Sequence, residues 1–515
     1  MIVERNCIGS VEMKKEMENL FRESEVCIEL RTELESIGKK MLQFVQSHGA
    51  ILNLIEESQQ SSCTNLLFYL VLRSEDIRDL QNRLHILGLS SLASSESHIY
   101  SQMNAILERL GGIIPEKEKT FYSYENAVND MQWKSQALFG NKKEATVPYI
   151  MVTLDSNFSH ETDNIKELLV AGMNVARINC AHDDESVWVK IIDNIRKATD
   201  ETGLPCKMYM DLAGPKIRTV LPGKKGKKEK IEIREGERII LANLKDEALS
   251  EEKVVGCTIN GIIHQLKIGE RVLFDDGSIE CVIESMENER ALMTVVRVSR
   301  TKPYIKPEKG INFPDSKLAL SSITDFDMEC LPFICQHADL VGYSFVRNSD
   351  DLAHLQNLIR SQTEREIWLI LKIETQEAVI NLPSLLIQGM RNKAFGVMIA
   401  RGDLAIEVGF ERMSEVQEEI LWICEAAHVP VIWATQVLET LNKSGLATRS
   451  EITDAAFSGL AECVMINKGE HTIAVIETLR NILFRSGGHH IKKRYTFRPL
   501  QIARAYLKSV ETTSQ

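Results

Sequence analysis

The sequence lacks the long apolar runs that membrane-spanning helices require. No stretch approaches the roughly 18 consecutive apolar residues of a membrane span, and residues 66–72 are only a short apolar run. The N-terminal residues, MIVERNC, include an acidic residue within four positions and no apolar core of a signal peptide. We therefore expect neither a membrane protein nor a secreted one.

Cysteine pairs and an excess of positive charge are also missing. The 11 cysteines are an odd number without a Cys-x-x-Cys pair, which predicts reduced thiols in a cytoplasmic protein. The 61 Lys and Arg residues against 73 Asp and Glu residues give a net charge of −12. This balance argues against a nucleic-acid partner, and we interpret the five lysines within 224–230 as a solvated turn.

The periodicity of apolar residues divides the chain into zones. Three runs at helical spacing before residue 110 predict an N-terminal all-α domain over 1–115, and 116–147 is predicted to be a connection. The heptad-like steps leave two interpretations open. The runs are short, which favours a packed three-helix core, and the alternative is a surface for a partner.

From residue 148 onward, short apolar strands alternate with amphipathic helices. Eight buried parallel strands with intervening helices predict an α/β fold, a (β/α)8 TIM barrel over 148–218 and 307–485. In 219–306 the alternation has period two and Asp-Asp-Gly-Ser is a hairpin signal, so a small β-domain is predicted to be inserted after the third strand. Residues 486–515 form a C-terminal tail. The predicted barrel strands are 149–154, 174–179, 206–212, 339–345, 367–373, 396–400, 431–435 and 463–467.

Charged and polar residues gather at the ends of these strands, where barrel enzymes have their active sites. Singly, each has a structural explanation, such as a helix cap at Asp403 or an Arg177–Asp211 ion pair. Together they predict metal-assisted chemistry on a small phosphorylated acid. The residues are Arg177, Asn179, Asp211, Lys216, Arg218, Lys372, Glu374, Asp403 and Thr435.

The chemistry of these side chains supports that prediction. Glu374 and Asp403 can hold a hard divalent cation such as Mg²⁺, and the neighbouring cations suit an anionic phosphate. Gly402, at the start of a predicted helix, offers backbone N–H groups to a carboxylate.

Seven segments at these positions resemble the pyruvate kinase family. The resemblance spans 148–485 in the family's order, insert included. It implies that the chain transfers the phosphoryl group of phosphoenolpyruvate to ADP, giving pyruvate and ATP, and that 219–306 is a mobile lid domain. The segments are AGMNVARIN (171–179), DLAGPKIRT (211–219), FDDG (274–277), KGINFP (309–314), KIE (372–374), ARGDL (400–404) and ATQVLE (434–439).

Carried over position by position, the resemblance implies a role for each residue. Glu374 and Asp403 would bind Mg²⁺, with Mn²⁺ as an alternative. Lys372 would stabilise the phosphoryl group in flight and the enolate, and Thr435 would assist enolate protonation. The remaining assignments are Arg177 to the substrate phosphate, Gly402 and Asp403 to the substrate carboxylate, and Arg218, His182 and Lys309 to the nucleotide phosphates.

The resemblance also bears on K⁺. The family's monovalent-cation site corresponds to Asn179, Asp211 and Leu212, but Ala181 stands where the family has serine and Lys216 where it usually has glutamate. Some family members with lysine there work without K⁺. A fixed ammonium supplies about 4 kcal/mol at about 4 Å and an effective dielectric of about 20. We therefore expect activity without K⁺.

Further departures keep other functions open. The family's Thr-Ile-Gly-Pro is Thr153-Leu-Asp-Ser156, which places Asp155 near the nucleotide, and its Ser-Gly-Glu-Thr is Lys468-Gly-Glu-His471. We expect residues 486–515 to be too few for the family's C-terminal effector-binding domain. The alternatives are a catalytically weak or inactive homologue serving as a regulatory or scaffold subunit, and another Mg²⁺-dependent barrel enzyme acting on phosphoenolpyruvate or pyruvate. We also expect a homo-oligomer.

Overall fold

The computed structural model describes residues 2–115, 122–142, 147–222, 230–243, 253–287, 289–299, 301–487, 490–491 and 494–495. The lysine run interpreted as a solvated turn lies outside the described residues, apart from Lys230, and so does most of the predicted tail. Parts of the predicted connection, 116–121 and 143–146, also lie outside them.

Helices account for the N-terminal region and for the connections between barrel strands. No helix in the described part of the chain combines the length and the apolar character needed to cross a bilayer. The helices are α1 (Ile2–Ser47), α2 (Gly49–Leu52), α3 (Gln60–Arg73), α4 (Arg78–Ile86), α5 (Ile99–Arg109), α6 (Tyr124–Phe139), α7 (Thr162–Ala171), α8 (Glu185–Thr202), α9 (Asp325–His337), α10 (Ser349–Gln362), α11 (Gln376–Ile380), α12 (Leu382–Gly389), α13 (Arg401–Val408), α14 (Phe410–Ala426), α15 (Glu439–Ser444), α16 (Arg449–Phe457) and α17 (Thr472–Ser486).

Strands build a closed barrel, an inserted β-domain that we call the lid, and a short hairpin. They are β1 (Tyr149–Leu154), β2 (Val175–Asn179), β3 (Lys207–Asp211), β4 (Thr219–Val220), β5 (Ile231–Glu232), β6 (Arg238–Ala242), β7 (Val254–Cys257), β8 (Arg271–Phe274), β9 (Ile279–Glu287), β10 (Arg290–Val298), β11 (Tyr304–Ile305), β12 (Ile311–Asn312), β13 (Leu340–Tyr343), β14 (Trp368–Ile373), β15 (Phe395–Ala400), β16 (Val431–Ala434), β17 (Cys463–Ile466), β18 (His490–Ile491) and β19 (Arg494–Tyr495).

The described residues form two compact units. The first comprises residues up to Lys134 with two later segments, Gly389–Lys393 and Trp422–Val429. The second comprises Ser135–Gln388, Ala394–Leu421 and the residues from Pro430 onward.

Helices α1 and α3 to α5 supply most of the core of the first unit. Leu30, Leu34 and Met41 of α1 are fully buried, as their helical spacing predicts. Serines, which often cap helices, stand at positions 94, 95 and 97 just before α5, but the cap position is His98, which makes no capping bond. Instead, the first N–H of α5 donates to Asn65 Oδ1 on α3 at 3.2 Å, because a side chain from a neighbouring helix can satisfy a helix end as well as a local one.

A buried polar cluster links α3 to α6 within this unit. Lys134 Nζ lies 2.7 Å from Asp130 Oδ2 and donates to Ser62 Oγ at 3.1 Å. His428 Nδ1 lies 2.9 Å from the same hydroxyl. Burial lowers the pKa of Lys134, and the Asp130 carboxylate opposes that shift. The ammonium is therefore kept in the core by its pairing with Asp130.

The second unit contains the predicted barrel. Its strands are parallel and closed in the order β1-β17-β16-β15-β14-β13-β3-β2. Each of the eight begins and ends within two residues of the predicted range, so the predicted fold class is confirmed. Because parallel strands in a closed barrel share one direction, all their carboxyl ends meet at one rim.

The predicted insert is a β-domain between β3 and β13. Its larger sheet has the order β12-β8-β9-β10-β6-β7-β4, and strands β8 and β9 are antiparallel. The predicted hairpin joins them, with Asp275 and Asp276 at φ of +49° and +55° and Gly277 at +73°. Short polar residues and glycine tolerate this left-handed backbone, and the hairpin carries two carboxylates to the barrel rim.

Candidate active site

The barrel rim and the lid enclose a cleft of about 330 Å³. Most of the residues predicted from strand ends line it. Asp211, Leu212 and Gly402 do not, but each contacts a residue that does. The predicted residues that line the cleft are Arg177, Asn179, His182, Lys216, Arg218, Lys309, Lys372, Glu374, Asp403 and Thr435.

Arg177 and Lys372 are held at the floor of the cleft by a buried carboxylate. Asp211, fully buried at the end of β3, accepts from Arg177 Nε at 2.6 Å. Its other oxygen accepts from the Tyr209 hydroxyl and lies 3.7 Å from Lys372 Nζ. A Cβ at Gly342 would lie 2.0 Å from the Tyr209 hydroxyl, so this arrangement requires glycine on the neighbouring strand.

Charge pairing keeps these buried cations protonated. Burial alone lowers the pKa of Lys372, but Asp211 and Glu374 more than offset it, so the pKa is raised. For Arg177 burial is likewise overcome, chiefly by Asp211. Burial raises the pKa of Asp211, yet Arg177 and Lys372 bring it below its ordinary value. The floor of the cleft is therefore a charged cluster that presents two cations toward a ligand.

Glu374 and Asp403 form a neighbouring carboxylate pair. Glu374 accepts from the Phe345 N–H at 2.7 Å and lies 3.1 Å from Lys372 Nζ. Burial raises its pKa; Lys372 opposes this shift, and the Asp403 charge adds to it. The two carboxylates therefore repel each other, and a divalent cation bound between them would relieve this repulsion.

The two carboxylates fit Mg²⁺, which keeps several water or substrate ligands and needs only one or two from protein. Among the described residues, no cluster of three or more His, Cys, Asp or Glu side chains forms a fuller metal cage. Lys216 Nζ lies against Asp403, 2.8 Å from Oδ1 and 3.0 Å from Oδ2. A metal at this pair would therefore share Asp403 with an ammonium.

Thr435 has an unusual backbone conformation at the end of β16. Its φ is +66°, which is strained for a β-branched residue and typical of functional sites. In this conformation Oγ1 accepts from the Gly402 N–H at 2.9 Å. The N–H group that the sequence assigns to a substrate carboxylate is thus directed at Thr435.

Protein donors already contact the atoms expected to bind a monovalent cation. Asn179 Oδ1 accepts from the Ala181 N–H at 3.1 Å, and the Leu212 carbonyl accepts from Ser344 Oγ at 2.7 Å. The Asp211 carboxylate is shared by Arg177, Tyr209 and Lys372, as described above. Lys216 adds a further positive charge to the cleft, where it pairs with Asp403.

The residues assigned to the nucleotide lie on the lid side of the cleft. Lys309 Nζ lies 3.0 Å from Asp275 Oδ1, and Arg218 donates to the Glu308 carbonyl at 3.2 Å. Burial lowers the pKa of His182, and the charges of Lys468 and Arg218 lower it further. Several cationic side chains therefore surround the His182 imidazole on this side of the cleft.

Glu407 lies where α13 meets the lid. Asn312 Nδ2 of β12 donates to Glu407 Oε1 at 3.2 Å. Burial raises the pKa of Glu407 to about 7, and Asp403 and Asp315 contribute to the rise while the Asn312 bond opposes it. The carboxyl group of Glu407 is therefore protonated at higher pH in the folded chain than it would be in water.

Sequence reasoning missed three residues that organise the site. Ser344 accepts from Lys372 Nζ at 2.7 Å, Thr153 accepts from Arg177 at 2.9 Å, and Tyr209 donates to Asp211. Ser344 lies directly after β13, so the rule of strand ends could have found it. Thr153 and Tyr209 lie inside strands, where a buried hydroxyl has no distinctive sequence signal.

Comparison with known proteins agrees with this geometry. Residues 146–473 match the family described as pyruvate kinase, barrel domain. The chain is 32% identical over 337 residues to a pyruvate kinase of Bacillus licheniformis, covering 64% of this chain and 55% of that protein. It is 30% identical over 336 residues to that of Geobacillus stearothermophilus, with the same coverage. The chain thus spans about half the length of these relatives.

A solved structure is also similar. The crystal structure of a pyruvate kinase from Cryptosporidium parvum superposes with a TM-score of 0.59 and 25% sequence identity. The match covers 68% of this chain and 72% of that one.

Proposed function

Because the chain belongs to the pyruvate kinase family, we propose that it transfers the phosphoryl group of phosphoenolpyruvate to ADP. The bond between phosphorus and the enolate oxygen breaks, and a bond from phosphorus to a terminal ADP oxygen forms. The enolate then takes a proton at carbon, and the products are pyruvate and ATP. Such a transfer requires little covalent help from protein and depends on positioning and charge.

The observation that carries the proposal is Lys372, a buried ammonium aimed into the cleft. Its contacts with Asp211, Glu374 and Ser344 fix its position before a substrate arrives. A cation held in place in this way stabilises negative charge developing on the phosphoryl group and the enolate oxygen without reorganisation. Arg177, fixed by Asp211 and Thr153, would bind the substrate phosphate beside it.

Thr435 is positioned to deliver the proton that completes the reaction. Its Oγ1 accepts from the Gly402 N–H, which orients the oxygen and leaves the hydroxyl proton for another acceptor. That proton, or one from a water bound to the hydroxyl, would be transferred to the enolate carbon, and a proton from solvent would restore the donor. Arg218, His182 and Lys309 would hold the nucleotide phosphates at the lid side of the cleft.

Glu374 and Asp403 would hold Mg²⁺. Bound there, the metal would neutralise phosphate charge and support the in-line transfer as a Lewis acid. The carboxylate pair supports this assignment through its charge, its burial and its place beside Lys372.

We also propose that the reaction needs no K⁺. Lys216 supplies a fixed positive charge at Asp403, 2.8 Å away. The three atoms expected to bind a monovalent cation already have protein partners, and Ala181 offers no hydroxyl. Together these contacts leave little demand for a bound K⁺.

A pyruvate-release assay tests the proposed activity. Purified protein is incubated with phosphoenolpyruvate, ADP and Mg²⁺, and pyruvate is reduced by an added dehydrogenase. We expect turnover that depends on ADP and stops when Mg²⁺ is chelated. Protein that is folded and binds Mg²⁺ and phosphoenolpyruvate but releases no pyruvate would refute the proposal and favour the regulatory homologue.

A further inference from the structure

Two residues that depart from the family pattern contact each other. Lys468 Nζ lies 3.3 Å from Asp155 Oδ2, although 313 positions separate them in the sequence. Asp155 follows β1 and Lys468 follows β17, and these strands pair in the barrel. Each substitution alone would add a charge to the rim, but together they add none.

The pair lies beside the cations assigned to the nucleotide. The Lys468 charge acts on the His182 imidazole, and Arg218 acts on the same ring. Since His182 and Arg218 both line the cleft, the Lys468 ammonium lies close to the cleft. Lys468 itself does not line the cleft, so it lies at the edge of the opening, near His182 and Arg218.

The Asp155–Lys468 contact is a weak one. The Lys468 side chain is 57% exposed, and exposed ion pairs contribute only about 0–1 kcal/mol. A phosphate oxygen carries more negative charge than one carboxylate oxygen and forms stronger bonds with an ammonium. An anionic ligand can therefore replace Asp155 as the partner of the ammonium at a small cost in free energy.

We propose that Lys468 binds a phosphate oxygen of the nucleoside diphosphate and that Asp155 is the counter-ion of this ammonium until the nucleotide replaces it. This inference rests on the proposed nucleotide site. Asp155 would also lower affinity slightly, because it competes with the nucleotide for the same ammonium. Its side chain accepts from the Asn157 N–H as well, which fixes the carboxylate at the end of β1.

Calorimetric titration with ADP tests the inference directly, at constant ionic strength and with Mg²⁺ present. Lys468→Gln should weaken ADP binding about tenfold, the loss of one charge-assisted contact, and should leave phosphoenolpyruvate binding within twofold. Lys197→Gln is the matched control, because Lys197 lies on α8 with 62% of its side chain exposed. It should change neither affinity.

A double-mutant cycle tests the role of Asp155. Asp155→Asn should strengthen ADP binding about two- to fivefold in the wild-type background and have no effect in the Lys468→Gln background. Strengthening in both backgrounds would show direct repulsion of the nucleotide and overturn the counter-ion role of Asp155.

Unchanged ADP affinity in Lys468→Gln, or a wild-type chain that binds no ADP, would overturn the inference. A chain that binds ADP through Lys468 but releases no pyruvate would refute the proposed function and leave the inference intact.

Discussion

Reversal of the charge at Lys216 tests the proposal that this site works without a monovalent cation. Lys216 Nζ lies 2.8 Å and 3.0 Å from the two Asp403 oxygens. Opposite charges at about 4 Å are worth about 4 kcal/mol at an effective dielectric of about 20. The two side chains are 28% and 19% exposed, so screening by solvent reduces the effect to roughly 1–3 kcal/mol.

Lys216→Glu replaces this attraction by repulsion beside a carboxylate assigned to the metal. We expect turnover without K⁺ to fall about 10- to 100-fold, since each 1.4 kcal/mol is a factor of about ten. Added K⁺ should restore part of it, because K⁺ can return a positive charge to the site.

The assay compares pyruvate release in KCl and in tetramethylammonium chloride at equal ionic strength. Wild-type turnover should be the same in both salts, and the exposed-site variant Lys197→Glu should behave like wild type. Wild-type turnover that rises many-fold with K⁺ would refute the reasoning. A Lys216→Glu variant that remains fully active without K⁺ would refute it too.

Three further predictions concern buried charges. Lys372→Met should lower kcat about 10²- to 10³-fold in a folded protein, and unchanged turnover would remove Lys372 from the mechanism. Burial raises the pKa of Glu407 from its ordinary 4.5 to about 7. The free energy of unfolding should therefore fall as pH rises between these values, by up to about 3 kcal/mol. In urea titrations, Glu407→Gln should abolish this fall, and the control Glu366→Gln, at an exposed position, should retain it. A fall that persists in Glu407→Gln would show that another group causes it. Lys134→Met leaves Asp130 without its cation and should lower the free energy of unfolding by about 3 kcal/mol; a more stable variant in the same titrations would show that the pair is a net cost.

The barrel and the composition of its rim could be predicted from sequence because both follow from short-range patterns. Buried parallel strands are continuous apolar runs, and their carboxyl ends meet by geometry. Once the strands were assigned, Lys372, Glu374 and Asp403 had to lie near one another. The lid was predictable for the same reason, since its alternation and its Asp-Asp-Gly hairpin are local signals.

The contacts between these residues could not be predicted in the same way. Lys216 reaches Asp403 across 187 positions, and nothing in the sequence near Lys216 specifies which carboxylate it meets. The sequence places Asp155 near the nucleotide but does not predict its contact with Lys468, because Lys468 follows a different strand. The contact of Asn65 with the first N–H of α5 could not be predicted either, since Asn65 belongs to another helix.

The spacing of apolar residues could predict only part of the organisation of the first unit. Helical spacing predicts which faces of α1 and α5 are buried. It does not predict that segments 389–393 and 422–429 belong to the same compact unit as the N-terminal helices. His428, with a φ of +50°, joins the polar cluster around Lys134 from one of these segments, and a lone histidine in sequence gives no sign of it.

Phosphorus NMR of a single reaction mixture tests the central claim most directly. The protein is mixed with phosphoenolpyruvate, ADP and Mg²⁺ in tetramethylammonium buffer, and the phosphorus resonances are followed over time. The account predicts that the phosphoenolpyruvate signal is lost while the γ-phosphate signal of ATP grows in equal amount. An unchanged phosphoenolpyruvate signal, or the appearance of inorganic phosphate in place of ATP, would contradict it.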